Sequence, residues 1–224
     1  VKIDVVSDIS CPWCFVAKAR LRRALDAFGH RDHVEVNYLP FQLNPALPTT
    51  PQPLLQYWAA RGGPAFRDEH AAVADIAATE GLPMRLDRAL AVNTFDAHRL
   101  VWLARRDGGP AAAAAVDEAL ERAYFTDGTN IADPHALVVL AIEAGLDGDR
   151  IATALATDTG AAEVRASIDR ALRAGIRAVP TFVLDGHGVI EGARTLAQFT
   201  DLLSHATTVA SATAACCLDT GCTR

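Results

Sequence analysis

Cys11-Pro12-Trp13-Cys14, where an N-terminal strand gives way to a helix, decides the reading of this chain. Residues i and i+3 share a helix face, so the two sulfurs can close a disulfide and reopen it with little backbone movement. A helix N-terminus offers unpaired N–H groups and the positive end of the dipole, and both favour a thiolate at Cys11. The thiolate attacks disulfides and is also the form that leaves when a mixed disulfide resolves. Two blander readings compete, half of a zinc site or a pair of buried structural cysteines. Zinc needs two more ligands at comparable spacing, and none lies nearby. The strand-to-helix setting, with Pro12 where a first-turn proline is tolerated, argues against both. Redox chemistry is the expectation, and it requires no cofactor.

The flanking sequence gives this motif a βαβ setting. Ile3 and Val5 alternate within a short strand over Lys2 to Asp8. Ala17, Leu21, Leu25 and Phe28 recur at helical spacing, with Gly29 in the place of a terminator. Val34, Val36 and Tyr38 alternate as a second strand. Pro45, Pro48, Pro51 and Pro53 mark an irregular linker to about Leu54. Helices are then expected over Pro64 to Glu80, from an Asn93 cap to Asp107, from Pro110, from Asp133-Pro134 to Gly145, and over Asp158 to Ala174. Strand character returns at Val179 to Leu184. Asp185-Gly186-His187-Gly188 reads as a hairpin turn into Val189 to Glu191. Leu196, Phe199, Leu202 and Leu203 mark a last amphipathic helix.

Composition excludes several function classes. Half of the 224 residues are apolar, enough for a large core, yet the longest apolar run, Ala136 to Ile142, is too short to cross a bilayer. A net charge of −6 gives no electrostatic footprint for nucleic acid. The densest basic clusters, Arg20, Arg22 and Arg23 and then Arg105 and Arg106, read as solvated helix faces. Seven histidines are scattered without metal-ligand spacing, so no metal is assigned. Val1 enters a strand pattern without a charged and apolar leader, which points to a cytoplasmic protein.

Ala178-Val179-Pro180-Thr181-Phe182 places a proline where a strand begins. Proline cannot donate to a ladder, so Pro180 is either a strand-start residue or a cis bond in a tight turn. The series of strand, Cys-x-x-Cys helix, strand, helices, proline-led strand, hairpin strand and helix resembles the thioredoxin superfamily with a helical insertion, the architecture of DsbA-like oxidoreductases. That resemblance implies an α/β, thioredoxin-like fold with a large all-helical insertion domain. Residues 1–45 and 175–207 would form the thioredoxin-like part, 46–174 the insertion, and 208–224 a flexible cysteine-containing tail. It also implies that Cys11 is the exposed nucleophile, Cys14 the buried resolving thiol and Pro180 a cis-proline, with Val179 pairing with substrate and Pro12 and Trp13 beside it.

Lys2-Ile3-Asp4, Asn93-Thr94-Phe95-Asp96-Ala97-His98-Arg99-Leu100 and Ala123-Tyr124-Phe125-Thr126-Asp127-Gly128 are similar to the FrnE-like branch of these proteins, which is bacterial and cytoplasmic. Phe95, Leu100, Tyr124 and Phe125 either line the groove or form core, and burial statistics favour core. The implied activity is thiol–disulfide oxidoreduction or disulfide isomerisation, with disulfide-containing proteins or small thiols such as glutathione as partners. The 2-hydroxychromene-2-carboxylate isomerases and kappa-class glutathione transferases are similar overall, but typically carry Ser where this chain has Cys11. A glutathione-dependent isomerase or transferase is therefore the runner-up.

One departure concerns proton transfer. Thioredoxin-like enzymes commonly keep a buried carboxylate six residues before the nucleophile, and Val5 stands there. Asp8 and Glu191 are the candidate substitutes, and the acceptor for Cys14 stays unassigned. Cys217 and Cys222, separated by turn-forming Asp219 and Gly221, are an auxiliary dithiol candidate, with Cys216 a spare thiol. A thiol-rich metal or redox sensor built on that tail is a third, non-enzymatic reading.

Overall fold

The computed structural model describes residues 1–185 and 188–205, apart from the side chains of 63–67 and 69. Strand β1 (Lys2–Ser7) lies between two others because both of its faces are apolar enough to be covered. It pairs in parallel with β2 (Glu35–Pro40) and antiparallel with β5 (Thr181–Leu184), which carries β6 (Gly188–Glu191) on its far side. Between β1 and β2 the chain makes helix α1 (Pro12–Asp26), the crossover that a parallel pair requires. Ile3, Val5, Val36 and Phe182 pack on one face against Ala17, Leu21 and Leu25 of α1 and Phe199 and Leu203 of a final helix, α7 (196–205). Phe182 and Phe199 meet edge to face at 5.0 Å.

Between β2 and β5 the chain is mainly helical. A two-residue ribbon, β3 (Gln52–Pro53) with β4 (Leu90–Ala91), brackets α2 (Leu54–Thr79). Then follow α3 (Phe95–Arg122), a π-helical turn at Ala123–Asp127, α4 (Pro134–Glu143), α5 (Gly148–Leu155) and α6 (Ala161–Arg173). Helix α3 is two helices joined end to end, because Gly109 has φ 78° and Pro110 follows it. Their shared core includes Leu100, Leu103, Val116, Leu120 and Phe125, and it takes in Ile9 and Phe15 from the first βα unit. Phe15 stacks on Phe125 with centroids 5.2 Å apart. Helix α6 covers the other face of the sheet, where Ala171 and Ile176 meet Val6 and Phe41.

Several expectations need correction. Helix α2 starts at Leu54 and runs through Pro64, where the helix was expected to begin, because Leu54 and Trp58 insert into the core. Helix α5 was not anticipated, although Asp147 caps it through hydrogen bonds from Asp149 N and Arg150 N. Helix α1 ends at Asp26, three residues before Gly29, and Phe28 folds back on the core. Arg20 and Arg22 are largely covered; carboxylates from the C-cap of α2 and from α3 meet them, Glu80 at 2.7 Å from Arg20 and Glu118 at 3.5 Å from Arg22. Gly81, Gly145 and Gly175 do close α2, α4 and α6 at positive φ. The expectations for the Gly186-His187 turn and for Cys216, Cys217 and Cys222 concern residues outside those described. Among the described residues, no helix is long and apolar enough to cross a membrane.

Arg99 joins α3 to the segment between α5 and α6. Its side chain is buried and donates to the carbonyls of Ala154 and Thr159, at 2.8 and 3.0 Å, and to Asp96 at 2.8 Å. Arg99→Met keeps the bulk but strands these acceptors, so stability should fall by about 3 kcal/mol in urea unfolding. A loss under about 1 kcal/mol would show that the carbonyls find other donors.

Candidate functional site

Cys11 is the N-cap of α1, an uncommon residue there, and its sulfur accepts a hydrogen bond from Cys14 N at 3.4 Å. Pro12 occupies the first helical turn, where its missing N–H costs nothing. Cys11 is not the exposed residue that was expected, since only 4% of its surface is accessible. The reason is the loop before β5. The Val179–Pro180 peptide bond is cis, and Val179 O lies 3.7 Å from Cys11 Sγ as a potential acceptor. Cys14 has no accessible surface. Burial first, and then the hydrogen bond and charge of Cys11, push the Cys14 thiol well above its ordinary value; Lys18 and the Asp8 backbone N–H pull the other way. Both cysteines are free thiols. The structure therefore brings Cys11, Cys14, Val179 and Pro180 together and gives the two sulfurs unlike surroundings.

Trp13 is half-buried and packs with Ile76, Leu82 and Met84 around Val16, Val73 and Ala77, so it is seated on α2. On the other side of Pro12 a cavity of about 420 Å³ opens, lined by Ser10, Asn44, Tyr57, Arg61 and Tyr124 among others. Asn44 and Arg61 both donate to the Tyr57 hydroxyl. Leu100, Tyr124 and Phe125 are core residues, as burial statistics suggested, though Tyr124 also reaches the cavity wall; Phe95 is only half-buried.

Of the two candidate substitutes for the missing carboxylate, Glu191 is exposed on β6. Asp8 is buried, but its oxygens are already engaged. Leu43 N donates to Oδ2 at 2.8 Å, Ser10 N lies 3.4 Å from Oδ1, and His98 Nε2 stands 3.4 Å from Oδ1 and 2.8 Å from Phe41 O. Asp8 thus ties the motif loop to the segment after β2 and to α3. Burial, the largest influence, pushes its carboxyl up, but His98, Leu43 and Thr94 together outweigh it and hold the group below its ordinary 3.8. Sequence reasoning missed His98 in this role, and it missed Lys18, Asp117 and Glu121, which lie buried behind Cys14. The signal for Lys18 was its spacing of four from Cys14, which puts both on one helix face.

Because the folded-state value of Asp8 is depressed, its stabilisation is full above pH 3.8 and is lost as pH falls below that through the folded value. Wild type should exceed Asp8→Asn in stability by about 2 kcal/mol at neutral pH. That gap should shrink on acidification below pH 3.8 when urea unfolding is repeated across pH. A gap that does not change with pH would mean the carboxylate charge contributes nothing.

The chain's relatives share this arrangement of elements. The DSBA-like thioredoxin domain family matches residues 2–204. YwbO of Bacillus subtilis is 32% identical over 207 residues, covering 86% of this chain and 90% of that protein. The crystal structure of a probable DsbA oxidoreductase from Streptomyces coelicolor superposes with a TM-score of 0.83 at 37% identity, over 92% of this chain and 90% of that one. The cytosolic disulfide reductase DsbM of Pseudomonas aeruginosa, also known with GSH, has the same fold at 20% identity and a TM-score of 0.68, over 93% of this chain and all of that one. With the family match spanning nearly the whole chain and a thioredoxin-type sheet beneath it, this protein belongs to the DSBA-like thioredoxin domain family.

Proposed function

We propose that the chain is a thiol–disulfide oxidoreductase and disulfide isomerase, working through a mixed disulfide at Cys11 that Cys14 resolves. The observation that carries this reading is the placement of Cys11 Sγ. It sits at the N-terminus of α1, 3.4 Å from Cys14 N and 3.7 Å from the carbonyl of Val179. A substrate sulfur reaching Cys11 passes the Val179–Pro180 loop, so an extended substrate backbone lies within reach of Val179, with Pro12 and Trp13 flanking it. Cys11 attacks, the substrate thiol leaves, and Cys14 then displaces the substrate; oxidation runs the same steps backwards.

In a cytoplasmic, bacterial setting the glutathione poise favours the dithiol form, which suits reduction and the repair of wrong disulfides. The Asn93–Leu100 and Ala123–Gly128 segments support assignment to the FrnE-like branch. The cavity beside Pro12 favours a small-thiol partner as well. At about 420 Å³ it is within the size range of small-ligand sites, and Arg61 supplies a cation for a carboxylate such as those of glutathione. A glutathione-dependent isomerase or transferase would use the same cavity without needing Cys14.

Insulin reduction and refolding of a scrambled-disulfide protein separate these readings. Wild type should be active in both. Cys11→Ser should lose at least a hundredfold in rate, and Cys14→Ser should accumulate a mixed disulfide visible by mass spectrometry. Inertness of the wild type in both assays, with glutathione-dependent turnover that survives Cys14→Ser, would replace the dithiol reading with the isomerase one.

A further inference from the structure

Behind Cys14 lies a buried group of charges that the exchange at Cys11 leaves without a role. Cys14, Lys18 and Arg22 follow at intervals of four along α1 and share one face. Asp117 and Glu121, also four apart, face them from the second half of α3. Lys18 has no accessible surface, and its Nζ lies 2.7 Å from Asp117 Oδ2, 2.9 Å from Glu121 Oε1 and 3.4 Å from Ser7 Oγ. The Tyr38 ring of β2 covers the ammonium at 5.4 Å, and Arg22 and Glu118 close the outer side. Ser7 and Asp8 are consecutive at the end of β1. The Ser7 side chain meets Lys18 while the Asp8 backbone N–H acts on Cys14, so the ammonium and the thiol are neighbours at one strand end.

Glu121 is the ill-satisfied member of this group. Among the described residues neither of its oxygens has a hydrogen-bond partner: Oε1 has the Lys18 ammonium at 2.9 Å as an ion pair and Oε2 the Arg22 guanidinium at 3.8 Å. Burial pushes its carboxyl up to about 7 against the pull of Lys18, while the like charge of Asp117 adds to the rise. A group that exchanges a proton near neutral pH thus stands one side chain from the resolving thiol.

We propose that the Glu121 carboxylate accepts the proton of Cys14 during resolution of the mixed disulfide, with Lys18 as the link between them. The inference rests on the dithiol reading above. Lys18 first gives a proton to Glu121, and the neutral amine so formed takes the proton of Cys14, so the ammonium is restored. The Cys14 sulfur bonds to Cys11 Sγ, the Cys11–substrate S–S bond breaks, and the substrate leaves as a thiolate that takes a proton from water. The exchange needs no further oxidant. The proton on Glu121 reaches solvent past Asp117, which lines a cavity of about 390 Å³ with Ser7, Tyr38 and Glu163 between β2, α3 and α6.

The test uses the reduced full chain with C216S, C217S and C222S, so that only the Cys11–Cys14 pair reports. In single-turnover reaction with 5,5′-dithiobis(2-nitrobenzoate), the first chromophore released reports attack by Cys11 and the second reports resolution by Cys14. In this background the second phase should quicken about tenfold from pH 6 to pH 8, because the acceptor must be deprotonated to act. Glu121→Gln should abolish that inflection and slow the second phase about tenfold at pH 8. Asp117→Asn, which removes a like charge, should move the inflection to lower pH. A profile without an inflection before Glu121 is changed, one that survives Glu121→Gln, or one that Asp117→Asn leaves in place overturns the proposal; if Glu121→Gln fails to fold, the other two profiles decide. Absence of the first phase overturns the dithiol reading itself and the inference with it.

Discussion

A lysine with no accessible surface has to be met by carboxylates, and in this chain they come from a helix distant in sequence. Lys18 belongs to the first helix of the thioredoxin-like unit, whereas Asp117 and Glu121 belong to a helix of the insertion. Burial acts to strip the Lys18 proton, and the two carboxylates outweigh it and raise the group above its ordinary value. Removing either side of such a pair leaves a buried charge uncompensated, at a cost of about 3–5 kcal/mol. The register between α1 and α3 is therefore held by charge, and the stacking of Phe15 on Phe125, in the π-helical turn that follows α3, adds to it. Everything that depends on α1 being where it is, including both sulfurs, depends on that register.

Four stripes on α1 explain why the helix is buried almost all round. Ala17, Leu21 and Leu25 face the sheet, Phe15 faces the insertion core, and Val16 faces α2. The fourth stripe, Cys14, Lys18 and Arg22, faces α3. The first stripe was legible in the sequence, because apolar residues at helical spacing have a single reading. The charged stripe was not, because lysine and arginine on a helix normally face water, and only the approach of α3 overturns that default. The same physics accounts for α2. Local rules place a break near Gly62-Gly63-Pro64, yet burial of Leu54 and Trp58 in the core carries the helix through it. Positive-φ glycines were readable wherever a helix ended freely, as at Gly145 and Gly175. Gly29 misled, since it is not at positive φ and the helix ends before it, with Phe28 packed on the core.

Within the site, the residues that local chemistry names were legible from their spacing and neighbours: two cysteines on one helix turn and a proline opening a strand. What was not legible is the shell that holds them. The Asp8 oxygens gather Leu43 N, Ser10 N and His98, from three separated segments, and no local pattern announces such a convergence. Reading Asp8 as a proton acceptor assumed that its oxygens were free. They are committed to joining the motif loop to α3, and the cap is Cys11 itself.

That last point bears on why a cysteine stands at position 11. An N-cap is best served by a hard oxygen acceptor, as in Ser, Thr, Asp or Asn, and sulfur is a weak one. The Cys11 sulfur caps Cys14 N from 3.4 Å, a long contact that a serine hydroxyl with its shorter bonds would improve. Nothing in the packing of the cap calls for a thiol in its place. Relatives of the fold that carry Ser at this position would keep the helix and lose the chemistry. The fold therefore gains nothing from sulfur at its first helical cap, while disulfide exchange requires it. That asymmetry weighs toward the dithiol reading independently of the distance to Val179, because it turns on what the backbone needs and not on where a substrate would lie.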